Sequence, residues 1–388
     1  MTPSARVQAA IEILDGVIAS ARDNGPPADA LVRDYFRTRR YAGSKDRRAV
    51  REHVFAAIRL LGERPESGRA AMLALARQDG FAELFDGSAH GPAPVADDET
   101  APDPSRLPEW IGPELSPLVD DVDALLERAP LDLRVHAIKG DRDALAEELD
   151  AQRTPYSPWG LRLAPDTRID DTPAYRAGII EVQDEGSQLV ALACAPADGE
   201  TLLDLCAGAG GKSLALAAIA PGARIVAADV DLRRLSQFAP RAERAGAEIE
   251  SLLLYPPREV EHLADLHGQC DLVLVDAPCS GSGTWRRNPE GRWRLTPQRL
   301  DALVELQARV LGLAAPCVAP GGRLVFATCS ILTREGALQF ERFLSQHSDF
   351  VADNVLDGVG RGSGDGKLLT PGHDGTDGFF VARARRTC

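Results

Sequence analysis

Two cysteines stand where apolar runs of the chain give way to small polar residues. Asp276-Ala277-Pro278-Cys279-Ser280-Gly281-Ser282-Gly283 follows the run Leu272–Val275, and Thr328-Cys329-Ser330 follows residues 322–327. Short apolar runs bounded by turn residues read as buried strands. Each strand therefore delivers a thiol, and the first also an acid, to the end of a sheet. A lone cysteine beside a strand is ordinarily a small buried hydrophobe. Two of them, each in a polar turn, point instead to thiol chemistry, because a thiolate is a strong nucleophile that splits one hard step into easier ones.

A second pair of strand ends carries binding groups. In TLLDLCAGAGGKS (Thr201–Ser213) the run Leu202–Leu205 enters Cys206-Ala207-Gly208-Ala209-Gly210-Gly211-Lys212, and an apolar helical pattern follows. Glycines in a strand-to-helix turn let a ligand approach the backbone, and the helix start offers free N–H groups. The next strand ends at Asp229, 19 residues after Gly210, where an acid commonly meets ribose hydroxyls. Together these indicate an adenosine-containing cofactor. The glycines read G-x-G-G, not G-x-G-x-x-G, and Cys206 stands where a GxxxxGK phosphate loop needs glycine. S-adenosyl-L-methionine therefore fits better than NAD or ATP. Ligands of open α/β sheets lie beyond the carboxyl ends of the strands, so Asp276, Cys279 and Cys329 are expected to share one cleft with this cofactor.

The elements that position these turns begin at about residue 183, where strand and helix alternate as in a parallel sheet covered on both faces. Strands are expected at 201–205, 224–229, 249–254, 271–275, 322–327 and 378–382. Residues 5–80 read as helices. Val50, Val54, Ala57, Ile58 and Leu61 recur at three- and four-residue spacing after Ser44 as N-cap, with Lys45, Arg48 and Arg59 on the opposite face. Residues 86–106, rich in Pro, Ala, Asp and Gly, read as a disordered linker. Residues 107–182 read as a small α+β region with helices at 116–128 and 141–152 and a strand at 131–138. The expected domains are thus 1–85, 86–106, 107–182 and 183–388.

Composition sets the bounds. A chain of 388 residues has room for two or three domains. No apolar run approaches the roughly 18 residues a membrane span needs, and no leader pattern opens the chain, so a cytoplasmic protein is expected. The seven cysteines show no CxxC pair and no zinc-like spacing, which suggests neither a disulfide framework nor a metal site. A net charge of −14 argues against nucleic acid only on average: residues 1–80 hold 14 basic and 10 acidic side chains, the remainder 30 and 48. A mildly basic end on an acidic chain is compatible with an RNA partner. Nothing demands more than a monomer.

Taken together, CAGAGGK, DAPCS and TCS in this order resemble the RsmB and Nop/Sun family of RNA cytosine-5 methyltransferases. The resemblance extends through EVQDEGSQ (Glu181–Gln188), RRNPEGRW (286–293) and DGFF (Asp377–Phe380), and residues 5–61 resemble the NusB-like helical domain of the RsmB branch. It implies a Rossmann-like class I methyltransferase sheet preceded by an all-α, RNA-binding NusB-like domain and a small α+β region. It further implies methyl transfer from S-adenosyl-L-methionine to carbon 5 of a cytosine, most simply in small-subunit ribosomal RNA. By resemblance, Cys329 is the nucleophile, Cys279 assists release of the covalent adduct, and Asp276 contacts the ring edge. Lys212 approaches the same cleft; it is one of four lysines against forty arginines. The cofactor is expected along Cys206–Lys212, with Asp229 on the ribose and Arg234 and Asp276 beside it. Arg286, Arg287, Arg292 and Arg294, interleaved with Trp285 and Trp293, suit RNA phosphates and base stacking at the mouth of the site. One departure is Tyr255, standing where the family usually carries an acid on the adenine side. Alternative readings are a transfer RNA methyltransferase and a non-catalytic RNA-binding assembly factor. A DNA cytosine methyltransferase would leave TCS unexplained.

Overall fold

The computed structural model describes residues 1–387, in two compact units. The helical unit comprises Met1–Leu115, Val122–Glu127 and Thr284–Arg299. Its helices are α1 (Pro3–Asp23), α2 (Ala28–Arg37), α3 (Ser44–Leu60) and α4 (Gly68–Asp79). Helix α1 starts where Thr2 caps the Ala5 N–H and Pro3 occupies the first turn, and it ends at Asn24 in the left-handed region. Val7, Leu14, Val50, Val54, Ile58, Met72 and Leu73 form the core, the helical spacing of the apolar residues having placed them on facing stripes. Gly43, not Ser44, caps α3. Arg59 leaves the solvated face and donates to the Leu126 carbonyl at 2.9 Å.

Three expectations are revised in this unit. Residues 86–106 hold no helix or strand, yet they are pinned: Arg69 grips Glu99 at 2.7 and 2.8 Å, Ser105 N–H donates to Leu60 O at 3.1 Å, and Val95 and Ala101 pack on the helical core. The helix expected at 116–128 is absent; a 3-10 turn over Glu109–Glu114 is followed by simple turns. Pro113 and Pro117 lack an N–H to donate. The third revision concerns the Arg/Trp cluster, which is structural. Trp293 is buried in the helical core, its Nε1–H donating to Leu61 O at 2.8 Å. Buried Arg292 donates to the carbonyls of Pro289 at 3.1 Å, Ile58 at 2.6 Å and Arg106, and burial pulls its guanidinium down to about 9. Arg294 donates to Gly25 O and Pro26 O at 2.9 and 2.7 Å, and Trp285 and Arg286 are buried. Arginine beside tryptophan serves a core as readily as an RNA.

The sheet unit contains the remaining residues, beginning at Ser116. Its small antiparallel sheet has strands β1 (Leu131–Val135), β2 (Gln152–Arg153), β3 (Gly160–Leu163) and β4 (Ile180–Val182) in the order β2-β3-β1-β4, with α5 (Arg142–Glu148) alongside. The large sheet is built from β5 (Thr201–Asp204), β6 (Arg224–Asp229), β7 (Glu250–Leu253), β8 (Cys270–Asp276), β9 (Val318–Thr328), β10 (Phe350–Asp353), β11 (Arg361–Ser363), β12 (Gly366–Leu369) and β13 (Phe379–Arg386). Their order is β11-β12-β13-β9-β8-β5-β6-β7, with β10 on β13. Strands β5 to β9 are parallel, and β13 returns antiparallel to β9. The apolar runs of β5, β6 and β8 are buried on both faces, as a helix-covered parallel sheet requires. Helices α6 (Glu185–Ala193), α7 (Gly211–Ile219), α8 (Leu232–Ala245), α9 (Pro297–Ala314) and α10 (Ala337–Gln346) complete the fold. From β5 the chain winds outward through β6 and β7, then returns to β8 on the other side. A crevice forms at such a switch point, beyond the ends of β5 and β8.

Candidate active site

Strands β8 and β9 pair in parallel with Val275 opposite Phe326 and Asp276 opposite Ala327. Their exits are therefore level, and the loops carrying Cys279 and Cys329 leave side by side. The two sulfurs lie 3.3 Å apart. Gly283 joins the loops: its N–H donates to Cys329 O at 3.0 Å, and its carbonyl accepts from Gly378 N–H at 2.8 Å. A Cβ at Gly283 would stand 2.0 Å from the Gly378 carbonyl oxygen, so no side chain fits there. The hydrogen bond to Cys329, then burial, hold the Cys279 thiol well above its usual range.

Lys212, in the first turn of α7, is buried and donates to Asp276 Oδ2 at 2.7 Å. Its ammonium also lies 5.2 Å from the centre of the Phe379 ring. Burial works to lower the Lys212 pKa, but the charge and hydrogen bond of Asp276 outweigh it and the net shift is upward. The side chain stays cationic. DGFF and EVQDEGSQ meet here as scaffolding, because Asp184 accepts the N–H of Gly186 at 2.8 Å and of Asp377 at 3.1 Å. That bridge anchors the segment bearing Gly378 and Phe379.

The glycine turn closes on Asp229, whose Oδ2 accepts the Gly208 N–H at 2.7 Å and whose Oδ1 accepts that of Asp231 at 2.8 Å. Gly208 has φ +57°, and a Cβ there would stand 2.2 Å from Arg234 Nη2. Arg234 is itself largely exposed, with Nη1 3.9 Å from Asp229 Oδ2. Gly210, at φ +80°, precedes α7 without any side-chain cap, and Ala209 O accepts from Arg241 at 2.6 Å. Cys206 is partly buried; burial first, then the carboxylates of Asp204, Asp276 and Asp229, push its thiol well up. Ala207 N–H is spent on Ala228 O at 2.9 Å. An uncapped helix start, two positive-φ glycines and a carboxylate with room for further donors suit an adenosine-bearing group such as S-adenosyl-L-methionine. Tyr255 lies just past β7, exposed, its ring edge-on to His262 at 5.4 Å.

Three contributors carried no signal of their own in the sequence reading. Arg241 lies seven residues after Arg234 on α8, two turns along the same face, which periodicity would have shown. Glu181 pairs with Arg241 at 3.2 Å and Arg244 at 2.6 Å. Glu335 lies buried behind the thiol loops. Among the described residues no disulfide, no cluster of metal-binding side chains and no helix long and apolar enough to cross a membrane is present; Cys388 lies outside them.

Residues 191–385 match the family model described as 16S rRNA methyltransferase RsmB/F. The ribosomal RNA small subunit methyltransferase B of Pasteurella multocida is 33% identical over 291 residues, covering 72% of this chain and 65% of that protein. Its counterpart from Xylella fastidiosa is 36% identical over 287 residues, covering 72% and 68%. The chain thus spans about two thirds of the length of these relatives. A crystal structure of a methyltransferase homolog protein from Pyrococcus horikoshii superposes with a TM-score of 0.59 at 27% identity, over 68% of this chain and 89% of that one. The family model takes in β5 to β13, the same strands whose ends gather Lys212, Asp276, Cys279 and Cys329, and on that match the chain belongs to the 16S rRNA methyltransferase RsmB/F family.

Proposed function

We propose that this protein transfers a methyl group from S-adenosyl-L-methionine to carbon 5 of a cytosine in small-subunit ribosomal RNA, through a covalent cysteine–cytosine adduct. The observation that carries the reading is the pair of thiols 3.3 Å apart beside the buried Lys212–Asp276 ion pair. Carbon 5 of cytosine is a poor nucleophile. Addition of the Cys329 thiolate to carbon 6 forms an S–C bond and shifts the ring double-bond electrons toward carbon 5, which becomes enamine-like. Asp276 contacts the ring edge with the oxygen that Lys212 leaves unpartnered, while the Lys212 ammonium, 2.7 Å from its other oxygen, holds it in place. Lys212 also favours the Cys329 thiolate, as a nearby cation does. The cofactor, held by Asp229, Arg234 and the Cys206–Lys212 turn, supplies an electrophilic methyl group. Once carbon 5 carries that methyl, its proton leaves, the C6–S bond breaks and the ring double bond returns. Cys279, next to the Cys329 sulfur, assists this release.

The target base must be unpaired or flipped to receive the thiolate. The helical unit supports an RNA partner: Arg33, Arg37, Arg40, Lys45 and Arg48 are exposed on it, and Tyr41 is 74% exposed among them. The names of the relatives support ribosomal RNA. Two experiments test the reading. Bisulfite sequencing of ribosomal and transfer RNA from cells with and without the gene is expected to show one small-subunit cytosine losing its mark; no lost site would overturn the activity, and a transfer RNA site would correct the substrate. Cys279→Ala is expected to trap a protein–RNA adduct stable to denaturing electrophoresis, whereas Cys329→Ala forms none. Absence of the adduct on a verified substrate would overturn the division of roles.

A further inference from the structure

Behind the two thiols lies a carboxylate that belongs to neither loop's motif. Glu335 ends a short turn, Thr333–Glu335, and its side chain is fully buried. Its Oε1 accepts the Ser280 N–H at 2.8 Å and the Gln307 amide at 3.0 Å. Its Oε2 accepts the Ser280 hydroxyl and, at 2.7 Å, the Ser330 hydroxyl. Ser280 follows Cys279 and Ser330 follows Cys329, so one carboxylate holds both thiol loops. Gln307 extends the clamp from α9, its amide also reaching Pro278 O at 3.0 Å. Among the described residues no Lys, Arg or His pairs with Glu335; its neighbour Arg334 is taken by Asp301 at 2.7 Å. A buried carboxylate without a counter-ion is costly. A neutral amide could satisfy the same hydroxyls, which donate or accept as required. The charge itself therefore needs a reason.

We propose that Glu335 is a positioning residue that locks the two thiols against each other and, through its charge, sets the order in which they ionise, Cys329 first and Cys279 last. This rests on the reading above that Cys329 attacks. The charged groups around Cys279 are Cys329 at 3.3 Å, the Lys212–Asp276 pair at the end of its own strand, and Glu335 across Ser280. Lys212 and Asp276 largely offset one another, so Glu335 is the uncompensated charge behind the loops. A negative charge there disfavours a second one on Cys279, and the upward displacement of that thiol, led by its hydrogen bond to Cys329 and by burial, includes a contribution from Glu335. Two adjacent thiolates would repel, and a thiolate at Cys279 would compete for the base. Glu335 prevents both.

The test is iodoacetamide alkylation of the full-length protein across about pH 6 to about pH 10, a range bracketing the ordinary thiol pKa, each cysteine followed by peptide mass spectrometry. In the wild type the midpoint for Cys329 is expected at least about one pH unit below that for Cys279, a tenfold difference in thiolate at a given pH. In Glu335→Gln, whose amide retains the loop hydrogen bonds, the Cys279 midpoint is expected to fall by about one unit. An unchanged Cys279 midpoint in a folded variant overturns the proposal. If the variant fails to fold, the wild type still decides, because Cys279 ionising before or together with Cys329 overturns it as well. The readout needs neither RNA nor cofactor, so its failure leaves the methyl-transfer reading standing, and failure of that reading leaves the thiol order to be measured.

Discussion

At the residue scale, Asp204 shows how the sheet end is tuned. It is fully buried, its Oδ2 accepts the Ser213 hydroxyl at 2.6 Å and its Oδ1 has no partner, and burial pushes its carboxyl up to about 7. Below about pH 4 the group is protonated whether the chain is folded or not; between about pH 4 and the folded pKa only the unfolded chain ionises, so stability falls as pH rises, by roughly 1.4 kcal/mol per unit. Asp204→Asn should remove that slope. The melting-temperature gap between variant and wild type is expected to be small at pH 4 and to favour the variant by several degrees at pH 8; an equal gap at both pH values would show that Asp204 is ionised when folded. Asp229→Ala is expected to raise the KM for S-adenosyl-L-methionine at least about tenfold, the equivalent of one charge-assisted hydrogen bond, with a smaller change in kcat. A fall in kcat at unchanged cofactor affinity would remove Asp229 from the cofactor site. Cys279, Cys329, Asp276 and Lys212 could be read from the sequence because reactive side chains at strand ends are an uncommon use of their types. Glu335 could not, since a glutamate in Thr-Arg-Glu looks like any solvated helix start, and only burial distinguishes it.

At the scale of elements, the level exit of β8 and β9 is what makes the thiols neighbours, and Gly283 is the joint that keeps them so. Gly283→Ala would drive a Cβ into the Gly378 carbonyl, which is backbone and cannot rotate away. The expected result is a loss of kcat of at least about tenfold, or about 1.4 kcal/mol of barrier, with a lowered melting temperature. Retention of full activity would mean that the thiol spacing is not set there. The parallel strands were legible because each is an apolar run long enough to stand apart from its turns. Strands β10, β11 and β12 were not: FVAD, RGS and GKLL are three or four residues long, and only their pairing with longer neighbours makes them strands. Likewise the backbone near 116 looked free to coil into a helix, whereas Ser116 N–H is already spent on Ile331 O at 2.9 Å.

At the scale of the whole molecule, the chain passes from the sheet unit into the helical unit at Thr284 and returns at Leu300. Trp293→Ala should destabilise the helical unit by about 3–5 kcal/mol, the usual cost of emptying a core tryptophan site; a change below about 1 kcal/mol would mean that this core does not depend on it. The segment between residues 284 and 299 also has a consequence for how the protein can be divided or recombined. A single cut at any loop between the early helices and the first strand leaves one fragment with a core missing its tryptophan and the other with a strand of someone else's interior hanging from its thiol loop. Such a protein is not two beads on a string. Exchange of its helical half with a relative's would succeed only if residues 284–299 travelled with it, so the two halves have had to change in step.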